Sequence, residues 1–188
     1  MKDLLKKITE IKPILIGLGE MDHGVHTEIL KQLLNNLDSV NGIFLEYPVG
    51  YQNSINEYIK SGILDQNLTQ LLAGAESEGK NLKQTLTVIL DFAKKKRVPV
   101  ICIDSSKVQT NEYDKKSDIG YWFLRGGSRD EDMFENIIKT YREGEEWVVL
   151  CGATHLMTEI HLRTGKKTLG AKLKEKFGEH FSYIILDQ

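Results

Sequence analysis

Five short apolar runs, Pro13–Leu18, Gly42–Leu45, Val98–Ile103, Trp147–Cys151 and Tyr183–Leu186, punctuate the chain. None of them alternates apolar with polar residues, and several are rich in β-branched or aromatic side chains, which is how strands covered on both faces read. Between the runs, apolar residues recur at helical spacing: Val25, Ile29, Leu30, Leu33, Leu34 and Leu37 form one stripe, and Met133, Phe134, Ile137, Ile138 and Tyr141 another. Further helices are predicted over Asn53–Lys60, Leu82–Lys96 and Leu169–Lys176. Strands alternating with helices predict an α/β fold: a mostly parallel central sheet of about five strands with right-handed crossovers and helices on both faces.

One long stretch, from about Ser105 to Gly127, lacks either pattern and carries Tyr121, Trp122 and Phe123 ahead of Gly126-Gly127. A loop of that length is uncommon inside a domain, and it reads equally as a lid over a site or as an aromatic plug at an edge of the core. Ser128-Arg129-Asp130-Glu131 then has the S-x-x-E spacing of a capping box, which predicts a helix starting there and running to about Arg142. Asp130 and Glu131 suit the positive end of the helix dipole; Arg129 does not, and calls for an anion, either a site carboxylate or a substrate oxyanion.

Ligands of open α/β sheets bind beyond the carboxyl ends of the strands, so the residues after each run are the ones to inspect. They are Gly19-Glu20-Met21-Asp22-His23-Gly24, Glu46-Tyr47-Pro48, Asp104 and Gly152-Ala153-Thr154-His155. All four exits deliver an ionisable group. Convergence there would bring Glu20, Glu46, Asp104, His23 and His155 into one small volume, which suits either coupled acid/base chemistry or a metal site. Asp22 and Asp104 also read as helix caps or turn formers. His26 and His161 fall near the same place, and His180 reads as a surface residue.

Composition narrows the classes. At 188 residues and 40% hydrophobic, the chain suffices for one domain over residues 1–188 with a core of its own. The 25 basic and 27 acidic residues leave a net charge of −2, so no positive field exists to hold a nucleic acid backbone. Cys102 and Cys151 sit inside apolar runs and read as buried thiols. The N-terminal apolar run is too short, and too soon followed by Glu20, for a signal peptide or a transmembrane segment, which makes a cytoplasmic location, or a place within a larger protein, the expectation.

Several familiar motifs fail on inspection. Residues 74–80 have phosphate-loop spacing, but Asn81 stands where a magnesium-binding hydroxyl belongs, and the preceding LTQLLA reads as helix. Gly17-x-Gly19 lacks the third glycine of a dinucleotide fingerprint and would aim Glu20 at the pyrophosphate. Neither G-x-S-x-G nor H-E-x-x-H occurs.

Taken in order, Gly19-Glu20-Met21-Asp22-His23-Gly24, Glu46, Arg129-Asp130-Glu131-Asp132-Met133 and Gly152-Ala153-Thr154-His155 resemble the erythromycin esterase, ChaN-like and Tiki–TraB superfamily. Thr168-Leu169-Gly170-Ala171-Lys172-Leu173 is similar to the segment that follows the second histidine there. The resemblance spans about residues 13–186 and implies a small version of that fold, near its minimal core. The superfamily contains macrolide-lactone esterases, Tiki-type metal-dependent proteases, haem-binding lipoproteins and members without an assigned role. The short Tyr47–Lys80 region offers little scaffold for a macrolide pocket, and the first 20 residues do not read as a lipoprotein signal, so haem uptake is the less expected role.

The expected function is therefore hydrolysis of an ester, lactone or peptide-like bond in a small-molecule or peptide substrate. His23 or His155 would act as general base with Glu20 or Glu46, and Arg129 would stabilise the oxyanion. Asp104, Tyr47 and Trp122 are the expected substrate contacts. In a variant, Glu20, His23 and His155 hold a Zn, Mn or Co ion that activates the water. The rival from another class is a binding module for haem or a similar flat apolar ligand, lined by Tyr47, Tyr51, Trp122 and Phe123. A catalytic fold carried inside a larger toxin or assembly is a third reading.

Overall fold

The computed structural model describes residues 14–20, 27–37, 39–77, 82–105, 119–157, 160 and 165–186, with backbone alone at 74–77, 82 and 119–128. Five strands form one sheet: β1 (Leu15–Glu20), β2 (Gly42–Pro48), β3 (Val100–Asp104), β4 (Trp147–Gly152) and β5 (Phe181–Leu186). Every pairing is parallel, in the order β3-β2-β4-β1-β5. Seven helices are seen among the described residues: α1 (Thr27–Asn35), α2 (Gln52–Ser61), α3 (Gln66–Ser77), α4 (Leu82–Lys96), α5 (Ile119–Thr140), the one-turn α6 (Ala153–Leu156) and α7 (Leu169–Phe177). The α/β architecture read from the hydrophobic pattern is the observed one. Among the described residues no helix is long and apolar enough to cross a membrane.

Strand alternation explains why helices cover both faces. Ile16 and Leu18, Ile43 and Leu45, and Val148 and Leu150 point to one face and pack with α1 to α4. Leu15, Phe44, Trp147 and Val149 point to the other and meet Met133 and Ile137 of α5 and Leu169 and Leu173 of α7. Both cysteines are buried and unbridged. The edge of β3 is covered by a side chain that imitates a strand: Gln52 donates to the Val100 carbonyl at 2.8 Å and accepts from the Cys102 N–H at 2.8 Å.

Two expectations need correction. α5 begins at Ile119, so residues 119–127 are helix rather than loop, and Ser128 lies in mid-helix rather than at a cap. The Gly126-Gly127 pair reads as a break, yet a glycine inside a helix costs only about 1 kcal/mol relative to alanine, and the 22-residue helix runs through both. The LTQLLA segment is helix, as its sequence reads: it belongs to α3, a helix of 12 residues that takes in residues 74–77 of the rejected phosphate-loop spacing. Asp65 caps its start, accepting from the Leu68 N–H at 2.8 Å.

Close backbone approaches seat the turn that follows β4. A Cβ on Gly19 would come within 2.9 Å of the Ala153 Cα, and one on Gly170 would overlap the Leu156 carbonyl oxygen. Glycine at these two places lets α6 press on both β1 and α7. Gly170→Ala is expected to cost about 1–3 kcal/mol of stability, because a backbone carbonyl cannot swing aside as a side chain can. Equilibrium urea unfolding checks this; an unchanged midpoint would show that the approach is looser than drawn.

Candidate active site

Parallel strands bring their carboxyl ends to a single rim. Glu20 closes β1, Glu46 and Tyr47 lie near the end of β2, Asp104 closes β3, and α6 follows β4 without a loop and carries His155. α5 supplies the cation. Consecutive helical residues point about 100° apart, so Arg129 turns toward β2 and β3 while Asp130 turns toward the exit of β4. Asn136, further along α5, donates to the Ile103 carbonyl at 2.9 Å and fixes the helix against β3.

The resulting contacts form an alternating chain of charges. Arg129 Nε donates to Asp104 Oδ1 at 3.0 Å, and Nη2 donates to Asp104 Oδ2 and Glu46 Oε1, both at 2.6 Å. Glu46 Oε2 accepts from the Gly152 N–H at 2.6 Å. His155 Nε2 lies 3.4 Å from Glu46 Oε1, and its Nδ1 is 2.5 Å from Asp130 Oδ1. Asp130 is 0% exposed, Asp104 2%, Glu46 11% and His155 12%. Within such a site every charge needs its partner. Among the described residues no bond uses Arg129 Nη1.

These pairings set the protonation states. Burial opposes the charge on His155, but the Glu46 and Asp130 carboxylates outweigh it and raise the imidazole to about 10. Burial likewise pushes Glu46 upward, yet His155, Arg129 and the Gly152 N–H together hold it well below the usual carboxylate range. His155 is therefore an imidazolium at neutral pH, with both N–H groups facing carboxylates. Asp130→Asn removes one of them, and the His155 pKa should fall toward the ordinary histidine range; a ¹H–¹⁵N NMR titration reads this directly. An unmoved pKa would mean that Glu46 alone sets it.

A cavity of about 360 Å³ opens beside this chain of charges, with Glu20, Glu46, Tyr47, Asp104 and Arg129 on its wall. His155 reaches it through Glu46. Burial, and then Glu20, raise the Tyr47 phenol above its ordinary value, so it stays neutral. The arrangement thus brings Glu46, Asp104, Arg129 and His155 together and sets Glu20 and Tyr47 on the same cavity. His23, His26 and His161 lie outside the described residues, as does the Trp122 side chain. Arg129 faces carboxylates, as the sequence suggested, but from the middle of a helix, so the dipole argument was not the reason. Among the described residues no group of three or more His, Cys, Asp or Glu side chains is arranged to hold a metal ion. His155 lies between two carboxylates and carries its proton there, so a metal ion at this nitrogen would first have to displace that proton.

No family model matches the sequence, and no curated protein does. Solved structures match over nearly the whole chain. An erythromycin esterase, EreC, in its open conformation superposes on 98% of this chain and 72% of its own, with a TM-score of 0.66 at 12% identity. ChaN of Campylobacter jejuni, described with cofacial haem bound, covers 100% of this chain and 86% of its own, with a TM-score of 0.55 at 14% identity. The chain has the fold of EreC and ChaN. RRSP, a MARTX toxin effector domain from Vibrio vulnificus, covers 99% with a TM-score of 0.64 at 14% identity. The chain spans only 24% to 36% of the length of the bacterial toxin structures it matches.

Within this EreC- and ChaN-like fold, Asp130 is the residue to which sequence reasoning gave a place in the Arg129–Met133 motif and at the helix dipole, but no role in the site. Its signal was present in the Arg129-Asp130 dipeptide, whose two side chains reach different strand exits once the helix is known to continue through them.

Proposed function

We propose that the chain hydrolyses a neutral ester, lactone or peptide-like bond, and that the reacting carbonyl sits against Arg129 on the cavity wall. The observation that carries this reading is the guanidinium held by Glu46 and Asp104 beside an open cavity. Two carboxylates fix its plane, and Nη1 is left to donate to the oxygen that becomes negative in the tetrahedral intermediate. Donors fixed in advance need no reorganisation as that charge develops. His23, with Glu20 as its carboxylate, takes the proton from the attacking water and returns it to the leaving group. His155 acts through Glu46, keeping that carboxylate ionised and Arg129 in place. No step runs through a metal ion.

A panel of p-nitrophenyl and lactone substrates tests the proposal: turnover should be lost in His23→Ala and should survive dialysis against EDTA. Turnover that EDTA abolishes and Zn²⁺ or Mn²⁺ restores would instead favour the metal variant. The fold shared with ChaN supports a second reading, a site for haem or a similar flat ligand. Saturable one-to-one binding with a sharp Soret shift, and no turnover on any substrate, would favour it.

A further inference from the structure

Most of the cavity wall is apolar. Leu30 of α1, Leu45 and Leu150 of the sheet, Leu71 of α3, and Leu86 and Ile89 of α4 line it. Thr85 joins them, its Oγ1 2.9 Å from Thr27 Oγ1 across the α1–α4 contact. This part of the wall asks for hydrocarbon. The charged part of the wall holds Glu20, Glu46 and Asp104 with Arg129, whose charge Glu46 and Asp104 already meet. A ligand that brought its own carboxylate or phosphate there would face these carboxylates. At about 360 Å³ the cavity is small; ligand pockets run from about 300 to 1,000 Å³.

We infer that the substrate is a neutral ester, lactone or amide of a medium-length aliphatic acid, its hexanoyl- to octanoyl-sized chain lying between the sheet and helices α1, α3 and α4. The reaction rests on the hydrolase proposal; the apolar slot and its preference for uncharged ligands do not. Because the leaving group needs a way out, the apolar slot against the sheet takes the acyl side.

The experiment measures kcat/KM for p-nitrophenyl acetate, butyrate, hexanoate, octanoate and laurate. The value should rise about fourfold for each added methylene, reach its maximum at hexanoate or octanoate, and fall at laurate. Leu71→Trp narrows the slot and should lower the octanoate-to-acetate ratio by about tenfold or more, while Leu71→Ala should move the optimum toward longer chains. A flat profile, or a ratio that neither variant moves, overturns the inference and leaves hydrolysis standing. If no ester is turned over, the hydrolase proposal fails, and calorimetric titration with 2-octanone and with octanoate decides the slot. Binding of the ketone that Leu71→Trp weakens, with octanoate about tenfold weaker, supports it. No binding of the ketone, or equal binding of both, overturns it.

Discussion

Replacing Arg129 with methionine is expected to lower the unfolding free energy at neutral pH by about 3–5 kcal/mol, because removal of one partner strands buried charge. Asp104, 2% exposed, would lose the cation that binds both of its oxygens, and among the described residues Glu46 would keep His155 and the Gly152 N–H. Lysine should rescue the protein in part, since a point charge cannot reproduce the two parallel bonds to Asp104. The pH dependence follows from Glu46, whose folded pKa lies below its unfolded value. Its contribution is present above the ordinary carboxylate range and is lost as pH falls through the folded value. Arg129→Met should therefore show a shallower loss of stability toward acid than the wild type. Urea unfolding between pH 3 and pH 8 measures both effects, the range spanning the ordinary carboxylate pKa of about 4. A penalty below about 1 kcal/mol, typical of exposed ion pairs, would show that the guanidinium is not held by these carboxylates.

His155→Gln is expected to lower kcat/KM on the best ester by about 100-fold or more, with KM little changed, as for a contribution made in the transition state. Glutamine retains a donor toward Glu46 but not the charge that keeps Glu46 and Arg129 in register. A second signature separates this from simple disruption. The wild type should lose activity on the alkaline side as His155 gives up its proton near pH 10, and the variant should lack that limb. Stability follows the same sign: with a folded pKa above the unfolded one, the His155 contribution is complete below the ordinary histidine range and disappears as pH rises through about 10. Retention of full activity in His155→Gln, or an unaltered alkaline limb, would remove His155 from the chemistry.

The sheet was legible because each strand is a short apolar run bounded by polar exits. All five runs overlap the observed strands, displaced by a few residues where terminal polar residues such as Glu20 and Asp104 belong to the strand itself. Site residues at strand exits were legible for the same reason, since topology alone gathers Glu46, Asp104 and the residues after Gly152. What the sequence concealed lay in α5. Gly126-Gly127 and an accidental S-x-x-E spacing mimic a helix start, and nothing local shows that the helix is already running at Ile119. The buried pairing of Asp130 with His155 was hidden for a related reason: it depends on which side of α5 faces β4, a property of packing rather than of either residue's neighbours. The apolar wall of the cavity was equally out of reach, because Leu30, Leu71 and Leu86 read as ordinary core positions until the space between them is seen.

The Asn136 bond to the Ile103 carbonyl gives α5 a rotational zero point two turns from the adjacent pair Arg129 and Asp130. Inserting or deleting a single residue between that anchor and the pair would swing both side chains by about 100°. The guanidinium and the carboxylate would then miss their partners together. Selection can thus exchange side chains on this stretch one at a time, whereas its residue count is locked.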